Sequence, residues 1–196
     1  SKPDKYGMKL FLMCDVETAY TFNGLPYVGR EGNERCVGLA ESVVTKLAEP
    51  LHKSGINITT DNWFTSSRLA TALLSKQITL LGIVRKNKQE VPDEFRTYKK
   101  RAAGSSLYGF CQKQAMLSYV PKKNKVVILL STMHHKKEQD QKIQKPVMIA
   151  DYNKTKGAVD RVDQLSQLQR PEKNNALAVG LLVQLFEHCW DQCTGD

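Results

Sequence analysis

Asp15 and Asp61 each close an apolar, strand-like run, and this shared position is the sequence's clearest chemical signal. Met8 to Cys14 leads into the first, and Ile56 to Thr60 leads into the second. Open α/β sheets bind ligands just outside the carboxyl ends of their strands. If the two strands are neighbours, both carboxylates point into one crevice, where like charges repel unless a cation neutralises them. Hard oxygen donors of this kind suit Mg²⁺ or Mn²⁺. Asp160 is the third candidate, and Asp163 shares its face of a helix at i, i+3. Three carboxylates can hold two ions. One ion activates water or a sugar hydroxyl, and the other stabilises the leaving oxygen of a phosphodiester. A plainer reading stays open, in which Asp61-Asn62 caps the helix ahead and Asp163 is solvated.

Several elements must position these groups. Thr18–Phe22 is rich in β-formers, Asn23-Gly24 signals a turn, and Leu25–Val28 reads as a further short strand. Val37 to Ala48 carries apolar residues at helical spacing and is closed by Pro50. Ser66–Ser75 reads as a helix and Leu80–Val84 as a strand. Short strands are expected at 106–111, 115–119 and 125–130, a surface loop at 134–145, and a helix from about Gly157. Asn174 to Trp190, apolar nearly all round, reads as a last, buried helix. Strands followed by alternating helix and strand predict an α/β class with a mixed sheet and packed helices. Asp61 and Asp160 lie 99 residues apart, against 46 for Asp15 and Asp61. The longer interval leaves room for an inserted β-rich segment. The expected division is a first core part at 1–85, the insertion at 86–145, and the last core part with its C-terminal helix at 146–196.

The 196 residues carry 29 Lys and Arg against 20 Asp and Glu, a net charge of +9. A basic surface concentrates polyanions and binds them through counterion release. Arg85, Lys86 and Lys88 follow a strand, and Lys154 and Lys156 precede Asp160, so these five are candidate phosphate contacts. A solvated basic surface explains them equally well. Five scattered cysteines without a C-x-x-C pair argue against a disulfide framework and fit a reducing cytosol or nucleus. No apolar run is long enough to span a bilayer. His134-His135 and the His188, Cys189, Cys193 set do not give four zinc ligands at a recognised spacing. Trp63 and Phe64 read more readily as packing beneath Asp61 than as a platform for an unpaired base.

Longer strings narrow these alternatives. KPDKYGMKLF at 2–11, Cys14-Asp15, NITTDNWFTS at 57–66, GIVRKNK at 82–88 and YNKTKGAVDRVDQ at 152–164 resemble the piggyBac transposase family in content, order and spacing. The resemblance covers residues 2 to 165. It implies an RNase H-like core whose aspartate triad holds Mg²⁺ or Mn²⁺, with Asp15, Asp61 and Asp160 at the three positions and Asp163 at a further acidic one. It also implies DNA as partner, meaning transposon ends and TTAA targets cut and rejoined through hairpin intermediates. A homodimer of the full-length protein and a nuclear location follow from the same likeness. Gln169–Asn175 departs from the family's Arg-rich segment. The family's N-terminal DNA-binding portion and C-terminal cysteine-rich domain have no counterpart here, so the stretch is expected to be a catalytic-core fragment. Domesticated relatives that bind DNA without transposing it set the rival expectation, and a fragment that only contacts other proteins sets another.

Overall fold

The computed structural model describes residues 8–27, 38–97, 99–168, 177–179 and 183–186, the last two stretches by backbone alone. In chain order the elements are β1 (Met8–Asp15), β2 (Thr21–Tyr27), α1 (Leu39–Leu47), β3 (Asn57–Thr60), α2 (Ser67–Leu74) and β4 (Thr79–Ile83). There follow α3 (Asp93–Arg96), β5 (Ser106–Cys111), β6 (Gln114–Lys122), β7 (Lys125–Ser131), β8 (Gln139–Asp140) and β9 (Lys145–Pro146). The chain continues with α4 (Val147–Thr155), α5 (Ala158–Leu168), β10 (Leu177–Val179) and β11 (Val183–Phe186).

Nine described strands form one mixed sheet, with β8 and β9 as a separate small ribbon. On one side of β1 lies β2. On its other side lie β10 and then β11, followed by β3, β4, β7, β6 and β5. β3 and β4 are parallel, joined through α2, while β4–β7–β6–β5 is antiparallel throughout. The expected mixed α/β sheet with flanking helices is what the chain forms.

Alternate residues of the central strands feed two apolar clusters. Leu80, Ile128 and Leu130 pack with Val44, Leu47, Leu69 and Leu73 of α1 and α2. Leu81, Leu129, Ala115 and Leu117 pack with Met148 and Ile149 of α4. A strand buried on both faces reads as an unbroken apolar run, as Leu80-Leu81 and Val126 to Leu130 do. α2 begins where expected, because the Ser66 hydroxyl accepts from the Leu69 amide at 3.1 Å.

Three expectations are corrected. Asn23-Gly24 is no turn, since β2 runs through it to Tyr27. Its Asn23 side chain donates to the Leu47 carbonyl at 3.0 Å, which ties the strand to α1. A helix, α4, precedes the one expected near Gly157, and its start is set by Pro146 at the N-cap position. The C-terminal helix expected over 174–190 is instead the strands β10 and β11 wherever that stretch is described. Short apolar runs do not distinguish a buried helix from a central strand. Here open main-chain groups on β1 and β3 supply ladder partners, which decides the outcome.

One contact at the heart of the sheet depends on a missing side chain. The Thr60 and Thr65 hydroxyls lie 2.7 Å apart against Gly82 of β4. A β-carbon at Gly82 would fall 2.8 Å from the Thr60 carbonyl oxygen and closer still to both hydroxyls. Gly82→Ala is therefore expected to destabilise the fold by about 3 kcal/mol, at the upper end of overpacking costs. A lowered urea midpoint at unchanged slope would register this, and an unchanged midpoint would refute the contact.

Candidate active site

Asp61 stands at the carboxyl end of β3, on a tight loop that turns back into α2. The loop closes on itself, because the amides of Phe64 and Thr65 both donate to the Asp61 carbonyl at 3.1 Å. The Thr65 hydroxyl donates to that same carbonyl at 2.8 Å. Trp63 and Phe64 turn inward onto Phe11 of β1. Trp63 stacks on the Phe11 ring at 5.6 Å between centroids, and Phe64 meets it edge-on at 6.0 Å. Phe64 is buried, so this pair packs the loop onto the core rather than offering a platform for bases.

Asp160 lies on the first turn of α5, exposed, and is brought towards Asp61 by α4. Thr155 of α4 accepts a buried hydrogen bond at 2.8 Å from the Thr59 hydroxyl of β3, two residues before Asp61. Tyr152, one turn earlier on α4, feels both carboxylates. Burial first, and then the charges of Asp61 and Asp160, push its hydroxyl well above the usual tyrosine range. The hydroxyl therefore stays protonated and available as a donor.

Asp15 is placed differently. Its strand is not the neighbour of β3, because β11 lies between, parallel to β1 and antiparallel to β3. The two aspartate-bearing strands thus run in opposite directions. Met13 and Thr60 face the same residue, Val183, so Asp15 and Asp61 lie off that common level to opposite sides. Two strand spacings separate them laterally, roughly 10 Å. The Asp15 carboxylate instead accepts from the Thr18 amide at 2.7 Å and from the Thr18 hydroxyl at 2.5 Å. The Thr18 side-chain bond, then the backbone bond, hold its pKa below the usual carboxylate value. α5 still reaches this corner, since Arg161 donates to the carbonyls of Val16 and Glu17. Asp163 sits three residues beyond Asp160 on α5, and its side chain lies outside the described residues.

Among the described residues, no three His, Cys, Asp or Glu side chains are grouped closely enough to share a metal ion. The charges of Asp61 and Asp160 both act on the Tyr152 hydroxyl. Two carboxylates fit Mg²⁺ or Mn²⁺, since Mg²⁺ commonly takes one or two and completes its shell with water and substrate phosphate.

The basic candidates divide. Arg85 is exposed and donates to the Asn62 side chain at 2.9 Å, beside Asp61. Lys86 and Lys156 are exposed. Lys88 turns inward to donate to the Thr65 carbonyl, and burial lowers its pKa. Lys154 donates to Asp151 at 3.0 Å.

Sequence reasoning passed over Asp151 and the role of His134. The Ser131 hydroxyl accepts from the amides of Met133 and His134, so its own proton goes to His134 Nδ1 at 2.8 Å. His134 Nε2 then carries its proton towards Asp151 Oδ2, at 3.2 Å. With both ring nitrogens committed, His134 is a brace between β7 and α4 and not a zinc ligand. No spacing signal could have shown this, because the partners lie 17 residues apart across a ribbon.

Comparison with known proteins follows the same lines. A family model described as Transposase IS4 matches residues 1–189. The fold is similar to a cryo-EM structure of piggyBac transposase in a synaptic complex with hairpin DNA, with 39% sequence identity and a TM-score of 0.75. The chain belongs to the piggyBac-type transposase family. The match covers 83% of this chain and 35% of the solved transposase.

The brace yields a pH test for this chain. Burial would raise the Asp151 pKa, but the hydrogen bonds from His134 and Lys154 outweigh it and leave it lowered. A lowered folded-state pKa stabilises above the ordinary value of 3.8 and is lost as pH falls through the lower folded value. Asp151→Asn should therefore cost about 2 kcal/mol at neutral pH. The gap to wild type should close below the usual carboxylate range, as read by urea melts across pH. A gap independent of pH would show that the brace is not ionic.

Proposed function

We propose that this chain is the catalytic core of a DNA transposase that cuts and rejoins phosphodiester bonds in cut-and-paste fashion at TTAA sites. Asp61 and Asp160, on elements far apart in sequence, lie near enough to Tyr152 for both charges to act on its hydroxyl, and this carries the reading. Family membership supports it, and so does the hairpin DNA held by the similar solved transposase.

Asp61 and Asp160 would hold Mg²⁺ or Mn²⁺. Such an ion, when bound, makes a hydroxyl or water nucleophilic and neutralises charge on the leaving oxygen. The chain's own residues do the positioning. Tyr152, kept protonated, donates a hydrogen bond towards a carboxylate or a phosphate oxygen. Arg85, fixed by Asn62 next to Asp61, offers its outer guanidinium nitrogens to the DNA backbone, with Lys86 and Lys156 adding exposed charge. Asp15, kept ionised by Thr18, and Asp163 are the further ligands that the family likeness implies. DNA is the partner, dimerisation belongs to the full-length protein, and the nucleus is the compartment this function needs.

A second reading rests on one observation. β11 stands between β1 and β3 and parts Asp15 from Asp61, which favours a domesticated DNA-binding protein without catalysis.

Nicking of a labelled TTAA duplex in Mn²⁺ separates the two. Asp61→Asn and Asp160→Asn should each lower the rate by at least ~100-fold, the effect of several kcal/mol of lost charge stabilisation. Chelation should abolish it. Asp15→Asn reports whether the third carboxylate joins during reaction. Salt-sensitive DNA binding with no metal-dependent nicking would instead establish the domesticated reading.

A further inference from the structure

The chain's positive charge is unevenly placed. From Thr97 to Lys137 there are nine Lys and Arg and no Asp or Glu, as many as the net charge of +9 for the whole chain. This stretch runs from the lead into β5 to just past β7, and the rest of the chain is balanced.

Strand direction decides where those cations stand. β3 and β4 are parallel and pair Thr60 with Gly82, so Asp61 lies level with Ile83. Ile83 pairs in turn with Leu129 of the antiparallel β7. β7 therefore begins, and β6 ends, at the end of the sheet that bears Asp61. The turn joining them carries Lys122, Lys123 and Lys125, all exposed. Lys125 precedes Leu129 by four residues, so the turn rises roughly 13 Å past the level of Asp61. β5 begins at this end too, with Lys99 and Lys100 exposed ahead of it. Arg101 is folded back onto β6, where its guanidinium donates to the Ser118 hydroxyl and carbonyl at 2.8 Å and to the Ser105 carbonyl at 3.2 Å. Those acceptors are neutral, so they fix the guanidinium without cancelling its charge.

Two features set this end apart from a merely solvated basic face. Lys122 and Lys125 are direct cross-strand partners, and like charges directly opposite each other destabilise a sheet. Asn124 between them takes a φ of 63°, the left-handed turn conformation that asparagine tolerates, so the repulsion is built into a tight turn. The ion pairs found among the described residues use none of Lys99, Lys100, Lys122, Lys123 and Lys125. A ligand with regularly spaced negative charges would relieve this repulsion. β7, β6 and β5 stand two to four strand spacings from β3, roughly 10 to 20 Å. Along one strand of B-form DNA that distance spans about three to six phosphates.

We propose that the β6–β7 turn and residues 99–101 form a phosphate-binding wall that holds a duplex arm about three to six base pairs from the scissile bond. The proposal rests on the DNA-cutting reading above and adds a second backbone contact, on the side of Asp61 away from Asp15. Transposon-end DNA and flanking DNA offer the same phosphates, and the test tells them apart.

The intact chain is titrated with TTAA duplexes across a range of salt, each arm being either about two or about eight base pairs long, on either side of the proposed contacts. A tip variant carries Lys122→Gln, Lys123→Gln and Lys125→Gln. A control carries Lys53→Gln, Lys76→Gln and Lys113→Gln, which remove the same charge from exposed positions at the opposite end of the sheet. The slope of log affinity against log salt should be shallower by about 2 to 3 in the tip variant and close to wild type in the control. Lengthening an arm should tighten wild-type binding, which identifies the arm, and should not tighten binding by the tip variant. Relief of the lysine repulsion means that the tip variant should melt no lower than wild type, and a lower midpoint would overturn the repulsion on which the wall rests. A wild-type slope in the tip variant, equal losses in both variants, or no gain from either arm would overturn the wall and leave DNA binding intact. Failure of the wild-type chain to bind any duplex at low salt would bring down both readings.

Discussion

The close approach of the Thr60 and Thr65 hydroxyls over Gly82 is the constraint on which the rest of the site depends. Thr65 can fold back onto β3 only because β4 presents no side chain at that point. The fold-back gives Asp61 its tight loop and starts α2 at Ser66. It also turns the Thr65 carbonyl towards Lys88. Phe64 and Trp63 are thereby pressed onto Phe11, which seals the loop against the core. Buried hydroxyls whose bonds are all made rigidify their surroundings, since leaving one unmade costs more than making it returns.

A second set of polar contacts places α4. Thr59 and Thr155 bond across the sheet, and His134 braces Asp151 from the end of β7. Between these two anchors Tyr152 is held where it meets the charges of Asp61 and Asp160. The site is thus built on strands and helices with a fixed second layer, and this is what precise positioning requires.

The central tension lies in β11. Its pairing satisfies main-chain groups on both β1 and β3, yet it separates the two aspartates that resembled each other most in sequence. Two carboxylates on neighbouring parallel strands would share one crevice. On antiparallel strands with a third between them they do not.

Much was legible beforehand. Runs rich in apolar and β-branched residues predicted β1, β3, β4, β6 and β7, and β4 and β7 leave the near-continuous apolar signature of strands buried on both faces. The helix expected from Ser66 starts there, although the Ser66 hydroxyl and not the expected Asp61-Asn62 pair makes the cap, and the long blocks around Asp61 and Asp160 announced the family. Local chemistry decides such features, so one stretch of chain contains them. Tertiary structure alone decided that residues 177–186 pair as strands, since an apolar segment takes whichever partner is open to it. It alone turned Lys88 inward and gave His134 a carboxylate. It alone set Lys122 opposite Lys125 at the end of the sheet that bears Asp61. Those pairings join residues from separate elements, and their energies depend on distance in space, which no spacing along the chain encodes.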